Sequence, residues 1–200
     1  IMIGKTLKEL GFTEEVSVKY FAVKESVFPF IRFPGVDTVL GPEMKSTGEV
    51  IGIDTTFEMA YAKSQIAAGQ KLPLSGSVFI SVKDRDKKVV LPIAKGFYEL
   101  GFKILASAGT GKLLKENGIE ATIVPKIYEA ERPNVLDYIK NNQISLIINT
   151  PSGKKPKKDI TSIRSIAVGR NIPLITTIPG AKATLVAIKK LKENEISVKS

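Results

Sequence analysis

The sequence predicts an α/β fold, a five-stranded parallel sheet with helices on both faces, preceded by a smaller α+β segment. Three observations predict it. From residue 77 onward, short apolar runs alternate five times with segments of helical period, the pattern of strands buried on both faces and joined by helical crossovers. Glycine stands just past several of the helical segments, where a chain leaves a helix through the left-handed region. The first seventy residues lack this rhythm and hold 7 Lys or Arg against 9 Asp or Glu, whereas residues 71–200 hold 23 against 11. The sequence thus divides into a faintly acidic body, 1–70, and a basic body, 71–200.

In the basic body "SVFISV" (77–82) reads as the first strand. The helix after it, 88–100, puts Val89, Ile93, Phe97 and Leu100 on one face before Gly101, with Pro92 tolerated near a first turn or at a kink. "FKILAS" (102–107) is the second strand, 110–117 a short helix ended by Gly118, and "ATIVP" (121–125) the third strand. Pro133 opens a helix with Val135, Leu136 and Ile139 inward. "SLIINT" (145–150), a helix over 159–171, "PLITTI" (173–178) and a closing helix over 180–191 complete the series. In the first body "KTLKELGF" is a helical turn or two and "VKYFAVKESVFPF" is strand-like, with Pro29 at its end or at an edge. The stretch from Phe33 to Asp54 is irregular and rich in turn signals. Thr55 and Glu58 then form a Thr-x-x-Glu capping box for a helix reaching about Ala68, and "QKLPLSG" (70–76) is the linker.

A composition of 43% hydrophobic and 25% charged residues is that of a globular chain. There is no cysteine and no histidine, which excludes disulfides and thiolate metal sites and removes the commonest general base. Catalysis would have to rest on carboxylates, lysines or hydroxyls. No run approaches ~18 apolar residues and no signal arrangement opens the chain, so the sequence predicts a soluble, cytoplasmic protein without a membrane partner. The net charge of +10 points to an anionic partner. Nucleic acid is disfavoured, because exposed aromatics are sparse and a sheet covered on both faces offers no stacking platform.

"ASAGTGK" (106–112) imitates a nucleotide-hydrolysing phosphate loop. That loop needs Gly, four residues, then Gly-Lys-Ser/Thr; here the first position is Ala106 and the last is Leu113. No acidic magnesium partner stands at a nearby strand end. What remains is a strand turning through Ser107, Ala108 and Gly109 into a helix at Thr110, whose free N–H groups and hydroxyls suit a monophosphate. Lys112 reads as a solvated lysine. If the sheet is parallel, the same edge receives Ser81 with Lys83, Arg85, Lys87 and Lys88 behind it, then Lys126, and then Asn149, Thr150 and Ser152. Lysines act on phosphate as point charges, while an Asn reads a base or sugar through donor and acceptor together.

These segments, with "FPGVDTVLGPEMKSTGEVIG" (33–52), "SVKDRDKK", "LGFKILASAGT", "VPKIYEAERP" and "IPLITTIPGAKAT", resemble the C-terminal end of carbamoyl-phosphate synthetase large subunits. The resemblance covers essentially all 200 residues and is most specific at Leu40 to Gly52. It implies that 1–70 is the end of the second ATP-grasp unit and that 71–200 is a regulatory domain with the methylglyoxal-synthase fold. The full enzyme joins bicarbonate, glutamine-derived ammonia and phosphate from ATP for pyrimidine and arginine synthesis, together with a glutamine amidotransferase small subunit. Its ATP and magnesium ligands lie upstream of the matched part, so no cofactor is expected in this chain.

The resemblance further implies an effector pocket for UMP or IMP at Ser81, Lys87, Ser107, Thr110, Lys126 and Asn149, with Ser152 adjoining; Gly109 belongs to the same phosphate turn. Ser107 stands where relatives often have Thr and keeps the donor, whereas Pro151 stands where a hydroxyl contributes and removes one. Lys126 stands near a Trp of the relatives activated by N-acetylglutamate and favours a phosphorylated effector. A second effector site, for ornithine, would match Glu25 and Thr176, but its aromatic is replaced by Leu174 and Glu25 also reads as a plain strand carboxylate. A lyase acting like methylglyoxal synthase is the rival reading, and it lacks both a His and an Asp in "EAERPNV" (129–135). Self-association stays open.

Overall fold

The computed structural model describes residues 1–27, 48–129, 131–150 and 157–197. Residues 1–20 form turns, among them one helical turn in which Leu10 N–H donates to the Thr6 carbonyl. Strands β1 (Phe21–Val27) and β2 (Gly48–Asp54) pair antiparallel, with Phe21 opposite Asp54 and Val23 opposite Gly52. Helix α1 (Phe57–Ala67) covers one face of this hairpin. The expected Thr55–Glu58 capping box does not form. The helix starts one residue later, behind Thr56, and the Thr55 amide and hydroxyl both donate to the Asp54 carboxylate, at 2.7 and 3.2 Å. Asp54 in turn meets Lys63 at 2.7 Å, and this bond above all holds its carboxyl below the ordinary aspartate value. The adjacent Asp54 carboxylate takes the Thr55 amide, the donor from which the Glu58 side chain would have accepted in a capping box, so the box does not close.

The main sheet contains β3 (Ser77–Ser81), β4 (Lys103–Ala106), β5 (Thr122–Ile123), β6 (Leu146–Asn149) and β7 (Leu174–Ile175). Its order is β5-β4-β3-β6-β7 and every pairing is parallel. Alternate residues of the strands feed two apolar layers. Val78, Ile80, Ile104, Ala106, Leu146 and Ile148 face one side, where α2 (Lys87–Glu99), α3 (Ala108–Glu116) and α6 (Ile178–Glu193) supply Phe97, Leu114 and Ile188. Phe79, Leu105 and Ile147 face the other, where α4 (Val135–Lys140) and α5 (Lys157–Gly169) supply Ile139 and Ala167. Strands that are apolar at both parities require helices on both faces, as the sequence pattern predicts.

Two expectations need correction. Val89 is 54% exposed, because α2 begins at Lys87 and the inward stripe at its helical spacing is Val90, Ile93, Ala94 and Phe97. Pro92 sits in the sixth position of this helix, on its exposed side, where it removes the one hydrogen bond that would reach the Lys88 carbonyl. Pro133 does not open α4; Asn134 caps it in a reciprocal box with Asp137, each side chain accepting from the other residue's end of the turn.

The two bodies share one core. Met59 and Ala62 of α1 and Leu72 of the linker belong to the same apolar layer as α6, and the Tyr61 hydroxyl lies 3.1 Å from that of Thr184, which is fully buried. Among the described residues no helix is long and apolar enough to cross a membrane. Gly52 sets how closely the hairpin approaches α1, since a Cβ there would collide with the Ala60 carbonyl oxygen and the Ser64 amide. Gly52→Ala is therefore expected to lift the hairpin and destabilise it by about 1–3 kcal/mol. Amide exchange should accelerate across β1 and β2 while β3 and β6 keep their protection; unchanged hairpin exchange would refute this account.

Candidate functional site

Strand order places the site. The connection leaving β3 runs to α2 on one face, whereas the connection leaving β6 runs to α5 on the other, so the chain parts between their carboxyl ends, the place where open parallel sheets commonly bind ligands. Ser81 and Asn149 are register partners at that parting, both half-buried. Beside them β4 ends and the chain turns at Ser107 into α3.

Buried hydroxyls tie this edge together. Thr110 is 1% exposed, and its Oγ1 accepts from the Val82 amide at 3.3 Å and from the Ser107 hydroxyl at 3.4 Å. Having accepted twice, the Thr110 hydroxyl keeps its own proton to donate. Thr150 acts likewise on the neighbouring strand: its Oγ1 accepts from the Lys83 amide at 3.1 Å while its own amide donates to the Ser81 carbonyl. The segment leaving β3 is thereby fixed from both sides, by α3 and by β6.

The "GTGK" glycines separate into two roles. Gly111 is buried, and a Cβ there would lie 3.0 Å from Ile123 Cγ1 and 3.5 Å from Ala106 Cβ, so its glycine lets α3 sit closely on β4 and β5. Gly109 is exposed on the first turn, and the Lys87 ammonium lies 3.3 Å from where its Cβ would be. A cation thus stands over the amino end of α3, where the backbone N–H groups point outward. Lys112, the lysine that completes the motif, is 79% exposed on its side chain and lies 3.9 Å from Glu116.

Lys126 is half-buried in the turn after β5, where its amide donates to Glu129 at 2.8 Å. Its charge reaches the same region, because it contributes to the lowering of the Asp84 carboxyl. Ser81, Lys87, Ser107, Gly109, Thr110, Lys126 and Asn149 all lie at this edge. Ser152 and Pro151 lie outside the described residues. Glu25 is elsewhere, on β1, its carboxylate accepting from Gln65 at 2.9 Å; Thr176 stands half-buried after β7. A cleft of about 940 Å³ lies at the opposite end of the sheet, between Leu72, Pro173, Leu191 and Ile196, far from these groups. No cluster of acidic side chains suited to a metal ion occurs among the described residues.

Sequence reasoning passed over Asp84. It lies on the short 3-10 turn Asp84–Asp86 and its carboxylate meets Lys87 at 2.7 Å, while Lys83 pairs with Asp86 at 3.6 Å. The Lys87 hydrogen bond, then the Lys87 charge and, after a small opposing effect of burial, the Lys126 charge hold the Asp84 carboxyl below the ordinary aspartate value. The signal was present as an acid inside the basic run "KDRDKK", read there as charge alone.

Residues 89–176 match the family model described as an MGS-like domain. Over its whole length the chain is 52% identical to the carbamoyl phosphate synthase large chain of Nostoc sp. and 54% identical to that of Archaeoglobus fulgidus. It spans 18% and 19% of those two proteins. It is also 53% identical to the carbamoyl phosphate synthase large chain, C-terminal section, of Methanocaldococcus jannaschii and spans 34% of it. A methylglyoxal synthase of Elizabethkingia anophelis aligns over 57% of this chain and 79% of its own, with a TM-score of 0.48 and 18% identity.

A lowered carboxyl contributes stability above the ordinary aspartate range and loses that contribution as pH falls through the lowered value. The Asp84 carboxyl, followed by carbon NMR, is expected to titrate below an ordinary aspartate, and Lys87→Met to move it upward. An unmoved midpoint would show that Lys87 is not the cause.

Proposed function

We propose that this chain is the C-terminal portion of a carbamoyl-phosphate synthetase large subunit and that residues 71–200 form its regulatory domain, binding a phosphorylated effector such as UMP. The observation that carries the reading is the Lys87 ammonium held over the first turn of α3 beside Gly109 and the buried Ser107 and Thr110 hydroxyls. A phosphate seated there would accept from the N–H groups of the helix start and from the Thr110 hydroxyl, and from Ser107 once its proton turns away from Thr110, with Lys87 and Lys126 supplying positive charge. Asn149, at the end of β6, and Ser81 beside it would read the sugar or base.

In this reading residues 1–70 are the end of an ATP-grasp unit, whose ATP and magnesium ligands belong to the part of the enzyme upstream, and a glutamine amidotransferase small subunit supplies the ammonia. The domain would act on the synthetase through α6, which packs on α1 and meets Tyr61 at Thr184. Coupling of this kind is typically about 1–3 kcal/mol. An ornithine site at Glu25 and Thr176 would first have to draw the Glu25 carboxylate away from Gln65. A lyase reading has no histidine to use.

Calorimetric titration of the full chain with UMP tests the proposal. Saturable binding is expected, weakened about ten- to hundredfold in Lys126→Ala, the loss of a charge-assisted hydrogen bond. No heat at millimolar UMP, or equal affinity in the variant, would sink it.

A further inference from the structure

Asp84 is placed where a ligand anion would be wanted. Its carboxylate oxygen lies 2.7 Å from Lys87 Nζ, the same ammonium that stands over Gly109 at the amino end of α3. The Lys87 side chain is 29% exposed and the Asp84 side chain 93% exposed, so the lysine is held in the site while the carboxylate approaches it from solvent. The positive charge of Lys126 adds a lesser pull on the same carboxyl, lowering it in the same direction. The neighbouring acid, Asp86, has a different partner, Lys83, and does not compete for Lys87.

From this geometry, and resting on the effector reading above, we infer that Asp84 is an intramolecular competitor for the phosphate: its carboxylate holds the Lys87 ammonium and gives it up to an entering anion. The exchange needs no rearrangement of the sheet. The carboxylate is already almost fully in solvent and loses little by turning outward, whereas Lys87 is already positioned and only changes its partner. No bond to a buried group is broken, because the Thr110, Ser107 and Thr150 hydroxyls that shape the edge are bonded among the backbone and one another and not to Asp84. The consequence is a lowered apparent affinity, by the same factor for every anion that takes the place of the tethered carboxylate on Lys87. Asp84 therefore sets the concentration range over which the effector acts, without touching the effector itself.

The test uses the full chain with two probes, inorganic phosphate and UMP, titrated calorimetrically at low ionic strength against wild type, Asp84→Asn and the charge-matched control Glu116→Gln on the outer part of α3. Asp84→Asn is expected to bind both probes about two- to fivefold tighter, as an exposed ion pair allows, while Glu116→Gln binds as wild type does. In a Lys87→Met background the further change Asp84→Asn should yield no gain, because the partner it competes for is gone. Binding that is unchanged or weaker in Asp84→Asn, or a gain of the same size with Lys87 removed, overturns the role of Asp84 and leaves the effector reading standing. Failure of wild type and Asp84→Asn alike to bind either probe overturns both.

Discussion

The carboxyl edge depends on one buried hydrogen bond, from the amide of Val82 to the hydroxyl of Thr110. Val82 is the first residue beyond β3 and is itself buried, so its N–H has left the sheet ladder and has no water to turn to. An amide left without a partner in that position costs about 1–3 kcal/mol. Thr110 supplies the partner from a different element, and in doing so fixes the start of α3 against the end of the central strand. The Ser107 hydroxyl, the exposed turn at Gly109 and the segment leading to Lys87 all take their places from that junction.

The same bond explains why the edge is polar in its side chains and still well packed. Thr110 and Thr150 each accept from a backbone amide of the segment that leaves β3, one from each side of it. A threonine hydroxyl accepts and donates at once, so each can complete the fold as an acceptor and still keep a proton of its own. A valine of equal shape would fill the space and leave both amides unpaired. The hydroxyls are thus structural groups first, and their suitability for an anion follows from where the structure requires them.

Much of this was legible from the residues alone. Apolar strands of both parities, separated by stretches of helical period, leave few arrangements besides a parallel sheet between two helical layers, and the positions of Ser81, Ser107, Lys126 and Asn149 at one edge follow from the sheet being parallel. What sequence could not give were choices decided by competition. Thr55 and Glu58 satisfy the spacing of a capping box, but the adjacent Asp54 carboxylate, held in place by Lys63, takes the Thr55 amide that Glu58 would have accepted from. Val89 and Val90 are equally apolar, and the one-residue phase set by where α2 begins decides which is buried. Asp84 was hidden for a similar reason: its partner, Lys87, is close in sequence, so the pair looked like surface charge until α3 was seen to bring Gly109 beneath the same ammonium.

The contact between the bodies decides how occupancy of the edge could be felt at a distance. Helix α6 begins after β7, with Thr177 capping it by accepting from Gly180, and it packs against both α2 and α1. Its buried Thr184 meets Tyr61, whose hydroxyl is pushed above the ordinary tyrosine value chiefly by burial, with the Glu25 charge adding to it. A small shift of α6 would therefore be resisted by packing with Met59 and Ala62 and by a hydrogen bond between two groups with little water to replace it. Interfaces of this kind do not deform smoothly; they hold one arrangement or change to another. The Glu25–Gln65 bond continues this chain of contacts from α1 to β1, so side-chain hydrogen bonds join the hairpin to α1 and α1 to α6.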